Sequence, residues 1–227
     1  MSNNLELRDV RKSFGEFVAV DGVSLQVPPG AVFGLLGQNG AGKTTSIRMI
    51  MDILAPDSGE VLFFDRPRRP EDLRRVGYLP EERGLYPRMT VIDQLAFFGG
   101  LYGLPRDVAR RRALAWLTRF RVPDFADRKA DELSKGNQQK VQFLAAILHD
   151  PDVLLLDEPF TGLDPVNVAL LREAFLELRD EGKTIIFSTH QMETVESLCE
   201  SLAIVDRGRV VVGGSLRNVK RSLGRQV

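Results

Sequence analysis

The chain has 227 residues, in which 31 lysines and arginines balance 31 aspartates and glutamates, and it holds a single cysteine. That length can bury a sizeable core as one domain, with room for an inserted lobe. A net charge of zero gives no electrostatic ground for a nucleic-acid partner, and none is expected. One cysteine excludes an internal disulfide framework and a cysteine-cluster metal site.

The opening MSNNLELRDV has no apolar core of signal-peptide type, and no run approaches the length of a membrane span. The chain is expected to be soluble and cytoplasmic, reaching a membrane only through a partner. In chain order, LELRDVRKSF and FVAVDGVSLQV alternate polar and apolar residues, which predicts a small antiparallel sheet. VFGLLG (32–37) is nearly continuous in apolar residues, as a strand covered on both faces should be, and KTTSIRMIMDIL predicts a helix from Lys43 to Leu54. From Gly84 to Asp150 the strand signal disappears. VIDQLAFFGGLYGL, PRDVARRRALAWLTRFRV and NQQKVQFLAAILHD read as three helices, the last carrying Val141, Leu144, Ala145 and Leu148 on one stripe. VLLLD (153–157), TIIFSTH (184–190) and LAIVD (202–206) are further buried strands, with a helix over Asn167–Gly182 between the first two. Cys199 falls in the amphipathic METVESLCESL and reads as a small buried hydrophobe.

The expected fold is α/β: a mostly parallel sheet with helices on both faces, an N-terminal antiparallel β region and an inserted all-helical subdomain. The whole chain, 1–227, is one domain. Its α/β core comprises 1–84 and 151–214, the helical subdomain 85–150, and a short basic tail 215–227.

GQNGAGKT (Gly37 to Thr44) fits the phosphate-loop pattern GxxxxGK[ST] after a strand and before a helix. Gly37, Gly40 and Gly42 allow the tight turn, so that the N–H groups of the loop, Gln38, Asn39 and Ala41 included, face phosphate oxygens beside a helix N-terminus. Lys43 would reach the β- and γ-phosphates of ATP, Thr44 would ligate Mg²⁺, and Thr45 would support the phosphates. VLLLDEP places Asp157 and Glu158 where ligands of open α/β sheets bind. Asp157 would orient Mg²⁺ and Glu158 would act as general base, unless the pair is a solvated acidic turn. His190 ends a strand at the same edge and is a candidate for the γ-phosphate or the attacking water. His149, at a helix end beside Asp150 and Pro151, reads as a cap.

LSKGNQQ (Leu133 to Gln139) is a second anion-receiving helix tip. An ordinary cap accounts for Ser134 alone. The alternative is that the tip serves the ATP of a second copy, in a two-fold contact with nucleotide in the seam.

Together these stretches resemble the nucleotide-binding subunits of ABC transporters, from about Leu5 to Leu216. LSKGN is similar to the family signature LSGGQ, and TGLD (Thr161 to Asp164) to its D-loop. The resemblance implies a P-loop NTPase core that hydrolyses ATP with Mg²⁺, in a homo- or heterodimer driving separate membrane-spanning permease subunits from the cytoplasmic face of the membrane. It also implies that Ser134 and Gly136 grip the partner's ATP, with side contacts altered at Lys135 and Asn137, and that Asp164 communicates across the interface. Glu81 stands at the family's Q-loop position; a carboxylate can still contact the metal or its water, or else remain a solvated acid. Phe14 stands where the family stacks adenine, with Phe17 the alternative and a core role the competing reading. The GYLPEERGLYP variant resembles bacterial ATPases paired with six-span ABC-2 permeases in export. That branch often carries a further C-terminal segment, so this chain is expected to be a short or truncated form. Leu85 and Tyr86 are expected to dock a permease helix, with Phe97, Phe98, Leu101 and Tyr102 mostly core, and the arginines of RDVARRRALAW to form a solvated face. The competing function is a soluble, non-transport ABC ATPase, such as one serving iron–sulfur assembly.

Overall fold

The structure is a computed structural model and describes residues 4–82 and 84–223. Its centre is a six-stranded sheet in the order β10-β9-β3-β8-β7-β6. The members are β3 (Val32–Leu36), β6 (Val76–Leu79), β7 (Val153–Asp157), β8 (Thr184–Thr189), β9 (Ser201–Asp206) and β10 (Arg209–Ser215). All neighbours pair parallel except β9 and β10. Every residue of β3, β7 and β8 is buried, which is why their apolar runs are continuous rather than alternating. A second, antiparallel sheet joins β1 (Leu5–Phe14), β2 (Phe17–Val27), β4 (Ser58–Phe63) and β5 (Arg66–Pro67) in the order β2-β1-β4-β5.

Because successive strand residues point to opposite faces, the central sheet feeds two cores. Leu154, Leu156, Ile185 and Phe187 join the core under the helices. Val153, Leu155, Ile186 and Phe33 join the core shared with α1 (Lys43–Ile50) and the antiparallel sheet. Burying each such side chain contributes roughly 1.5–3 kcal/mol. Between β6 and β7 the chain inserts α2 (Val91–Leu101), α3 (Arg106–Arg119) and α4 (Lys135–Ile147); α5 (Pro165–Asp180), α6 (Met192–Leu198) and α7 (Leu216–Leu223) follow. An aromatic chain ties this helical region to the sheet. Phe120, Phe143, Phe175 and Phe187 follow one another at 5.8 Å between centroids, and Phe160 lies 5.7 Å from Phe187.

Several helix ends differ from the sequence pattern. α1 stops at Ile50 instead of Leu54, and Asp52 beyond it turns left-handed at φ 60°. α4 starts at Lys135 and α5 at Pro165, each two residues before the apolar periodicity begins, because Ser134 and Asp164 cap them. β4, β6 and β10 have no counterpart in the sequence pattern.

Candidate active site

The parallel register lines up the carboxyl ends of three strands. Leu36 of β3 pairs with Thr189 of β8, and Ser188 of β8 with Asp157 of β7. The loop after β3, the acids ending β7 and the histidine following β8 therefore converge on one edge.

The loop Gly37–Gly42 is anchored by Gly37 N–H to the Thr189 carbonyl at 3.1 Å and closes on itself through Ala41 N–H to the Gln38 carbonyl at 3.1 Å. Gly42 adopts φ 103°, and a β-carbon there would lie 2.5 Å from the Ala19 carbonyl oxygen; at Gly37 one would lie 2.4 Å from that of Val205. Only glycine lets the backbone pass this closely. A cavity of about 290 Å³ lies over the loop, lined by Asn39, Gly40, Gly42, Lys43, Thr44, Thr45, Phe17, Ala19, Glu81 and Glu158. Lys43 is 5% exposed. Its ammonium donates to the Gly37 carbonyl at 2.7 Å and the Gln38 carbonyl at 3.1 Å, and lies 3.6 Å from Glu158 Oε1.

Asp157 is fully buried. Its Oδ1 accepts the Ser188 hydroxyl, while Oδ2 is buried with no hydrogen-bond partner. Glu158 follows at φ 48°, a left-handed conformation that costs about 1–3 kcal/mol in a non-glycine residue. Its N–H donates to Ser188 Oγ at 2.9 Å and its Oε2 accepts from Thr161 Oγ1 at 3.3 Å. His190 Nδ1 lies 3.1 Å from Glu158 Oε1; an ionised carboxylate only accepts, so the ring proton sits on Nδ1.

An orphaned carboxylate oxygen in a buried, otherwise satisfied setting fits a divalent cation. Among the described residues no group of three or more His, Cys, Asp or Glu forms an all-protein cage. This suits Mg²⁺, which binds through one or two protein oxygens and takes the remainder from phosphates and water.

The helix tip at Ser134 is placed elsewhere. Ser134 caps α4, accepting from Asn137 N–H at 3.4 Å, and Ser134 and Lys135 are exposed. None of Ser134, Lys135, Gly136 and Asn137 lines the cavity over the loop. They abut the segment after the acids instead: a β-carbon on Gly136 would lie 3.5 Å from the Gly162 carbonyl. Asp164, also off the cavity wall, caps α5 through Asn167 N–H at 2.9 Å and Asn167 Nδ2 at 2.7 Å.

Phe14 and Phe17 close the β1–β2 hairpin as cross-strand partners, so their rings share one face. The cavity wall is Phe17 rather than Phe14, and both rings are about half exposed or more, at 49% and 63%. Neither is a core phenylalanine. His149 does not cap its helix. It stacks on Tyr102 at 3.6 Å between centroids and donates Nε2–H to the Val76 carbonyl at 3.2 Å, and burial lowers its pKa to about 4. Leu85 packs against the core, whereas Tyr86, Phe97 and Leu101 remain exposed. Phe97 and Leu101 line a second cavity of about 700 Å³ beside Arg88 and Asp93. The α3 arginines form an exposed face that also carries ion pairs: Arg106 and Arg110 meet Asp93, and Arg111 meets Asp107, while Arg112 donates to the Leu148 carbonyl at 3.1 Å. Ser188, which touches both acids, is in no motif that the sequence singles out; Thr161 opens the TGLD stretch, but its bond to Glu158 is not read from that pattern.

A strand–loop–helix phosphate cradle beside an acid pair, on a parallel sheet, defines a phosphate-loop nucleotide hydrolase. The sequence profile of the ABC transporter family matches residues 20–161. The ABC transporter ATP-binding protein YhaQ of Bacillus subtilis (strain 168) is 50% identical over 222 residues, covering 98% of this chain and 74% of that protein. The Nod factor export ATP-binding protein I of Cupriavidus metallidurans is 40% identical over 217 residues, covering 94% and 72%. A solved ATP-binding subunit of an ABC transporter superposes with a TM-score of 0.89 at 32% identity, covering 97% and 93%. The chain belongs to the ABC transporter family and is its ATP-binding, ATP-hydrolysing subunit. Such subunits dimerise and work with membrane permease components, and no helix among the described residues is long and apolar enough to cross a membrane.

Proposed function

We infer that two copies close around two ATP molecules, each nucleotide held between Gly37–Thr45 of one copy and Ser134–Asn137 of the other. The observation that carries this reading is the placement of the two helix tips: the one at Ser134 is exposed and lies off the cavity that the loop shares with Glu158. Beyond the Ser134 cap on Asn137 N–H, the first turn of this helix leaves N–H groups that water or an anion can take, and on this reading the anion comes from the second copy.

Within each half, loop N–H groups from Gly37 to Gly42 take the phosphates. Lys43 exchanges the Gly37 and Gln38 carbonyls for the β- and γ-phosphates, and Thr45 supports them. Thr44, Asp157, whose Oδ2 has no other partner, and Glu81 on the cavity wall would hold Mg²⁺, which when bound would neutralise phosphate charge. Glu158 takes a proton from the attacking water. His190, bonded through Nδ1 to Oε1, and Thr161, bonded to Oε2, fix the orientation of that carboxylate. Phe17, with Phe14 beside it, gives the adenine a stacking face. Asp164, at the tip of α5 and bonded to Asn167, whose amide lies beside Gly136, relays closure from one copy to the other.

The working partner we propose is a separate ABC-2-type permease acting in export, with the chain peripheral on the cytoplasmic face of the membrane. The apolar cavity at Phe97 and Leu101, next to exposed Tyr86, supports docking of a permease helix. The name of the Nod factor relative supports the direction of transport.

Sharing makes turnover second order in subunit at low concentration. Specific ATPase activity should fall on dilution and recover on reconcentration, measured over a hundredfold range around the dimer midpoint. Specific activity that stays flat while light scattering reports monomer would remove the shared site.

A further inference from the structure

We propose that Ser188 is a positioning residue for hydrolysis, one hydroxyl fixing both members of the acid pair. The inference rests on the reading of Asp157 as metal-orienting and Glu158 as base. Ser188 is fully buried in β8, between Phe187 and Thr189, where a hydroxyl is costly unless it is bonded. The parallel register sets it directly beside Asp157. Its single proton goes to Asp157 Oδ1, and its lone pair accepts Glu158 N–H at 2.9 Å. Neither bond can run the other way, because an ionised carboxylate has no proton to give and an amide N–H cannot accept.

Two consequences follow. With Oδ1 taken, the Asp157 carboxylate cannot rotate freely, and Oδ2 is left as its one unpartnered oxygen. With its N–H held, Glu158 stays in the left-handed conformation at φ 48°, which turns its side chain to Lys43, His190 and Thr161. Released from Ser188, that backbone is free to relax toward conformations that L-residues prefer. Packing alone does not call for a hydroxyl here, since valine or alanine would fill a buried strand position as well.

The experiment compares Ser188→Ala, Ser188→Val and Ser188→Thr, the last two equal in shape and differing in the hydroxyl. ATP affinity is measured in EDTA and in Mg²⁺, alongside turnover and thermal unfolding. In Ser188→Ala and Ser188→Val, affinity in EDTA should stay within about twofold of the parent. The Mg²⁺-dependent gain in affinity and the turnover should each fall about tenfold or more, as for loss of one charge-assisted bond. Ser188→Thr should recover most of both. Parent-like Mg²⁺ gain in Ser188→Ala, equal behaviour of Ser188→Thr and Ser188→Val, or loss of affinity in EDTA would each overturn the proposal. Asp157→Asn separates the two layers. If it keeps the Mg²⁺ gain, the reading of the acid pair fails; if it loses the gain while Ser188→Ala keeps it, only the role of Ser188 fails.

Discussion

Glu158→Gln is expected to lower turnover about 10²–10³-fold while ATP binding persists, the loss typical of removing a general base. The substitution keeps the shape of the side chain, and an amide oxygen can still accept His190 Nδ1–H, so the local geometry changes little. What disappears is the capacity to take a proton, together with the negative charge 3.6 Å from the Lys43 ammonium. Lys43 keeps its bonds to the Gly37 and Gln38 carbonyls, and losing the negative charge beside it removes a competitor for the ammonium, so ATP affinity should hold or rise as turnover collapses. Steady-state ATPase assays paired with nucleotide-binding titrations check both halves. Unchanged turnover would remove Glu158 as the base, and a matching loss of affinity would mean that the carboxylate is needed for binding instead.

Lys43→Ala should act on the other parameter, weakening ATP binding about 10–100-fold, the scale of one charge-assisted contact to an anion. The same change leaves Glu158, 8% exposed, without its nearest cation, and breaking such a pair is destabilising on its own. Circular dichroism and the thermal midpoint separate this effect from binding: the folded fraction at assay temperature should be unchanged even where the midpoint drops. Parent-like affinity in a folded Lys43→Ala protein would contradict the phosphate-loop role.

What the sequence made legible follows from how local each feature is. The loop Gly37–Thr44 is contiguous, and its glycines answer to steric demands within a few residues of chain, so its pattern carries its structure. Asp157 and Glu158 are legible for the same reason, at the end of an apolar run. β6 was not legible, because VGYL is too short to show a period. It is held by long-range packing: a β-carbon on its Gly77 would lie 2.2 Å from the Ala146 carbonyl of α4. β10 is an edge strand that runs out in Gly213 and Gly214, and β4 is exposed over its first half. The start of α5 is encoded in Asp164 and Pro165, a cap followed by an N1 proline, which apolar periodicity alone passes over. The contact of Ser188 with both acids depends on the register of two parallel strands 31 residues apart, and no local pattern encodes that. His149 misled for a related reason. Its neighbours in sequence suggest a cap, while its partners Tyr102 and Val76 are distant in the chain.

The two helix tips, one over the cavity and one exposed and off its wall, underlie the proposal that each catalytic centre is the joint product of two chains. Mixing Lys43→Ala with Ser134→Arg protein tests this most directly. Each variant alone spoils both sites of its own dimer, but a mixed dimer pairs the intact loop of one with the intact helix tip of the other. Turnover should reappear on mixing, to about a quarter of the parent value if subunits assort randomly and the sites act independently. Activity no greater than the sum of the two separate variants, with mixed dimers demonstrably present, would mean that each chain completes its own site.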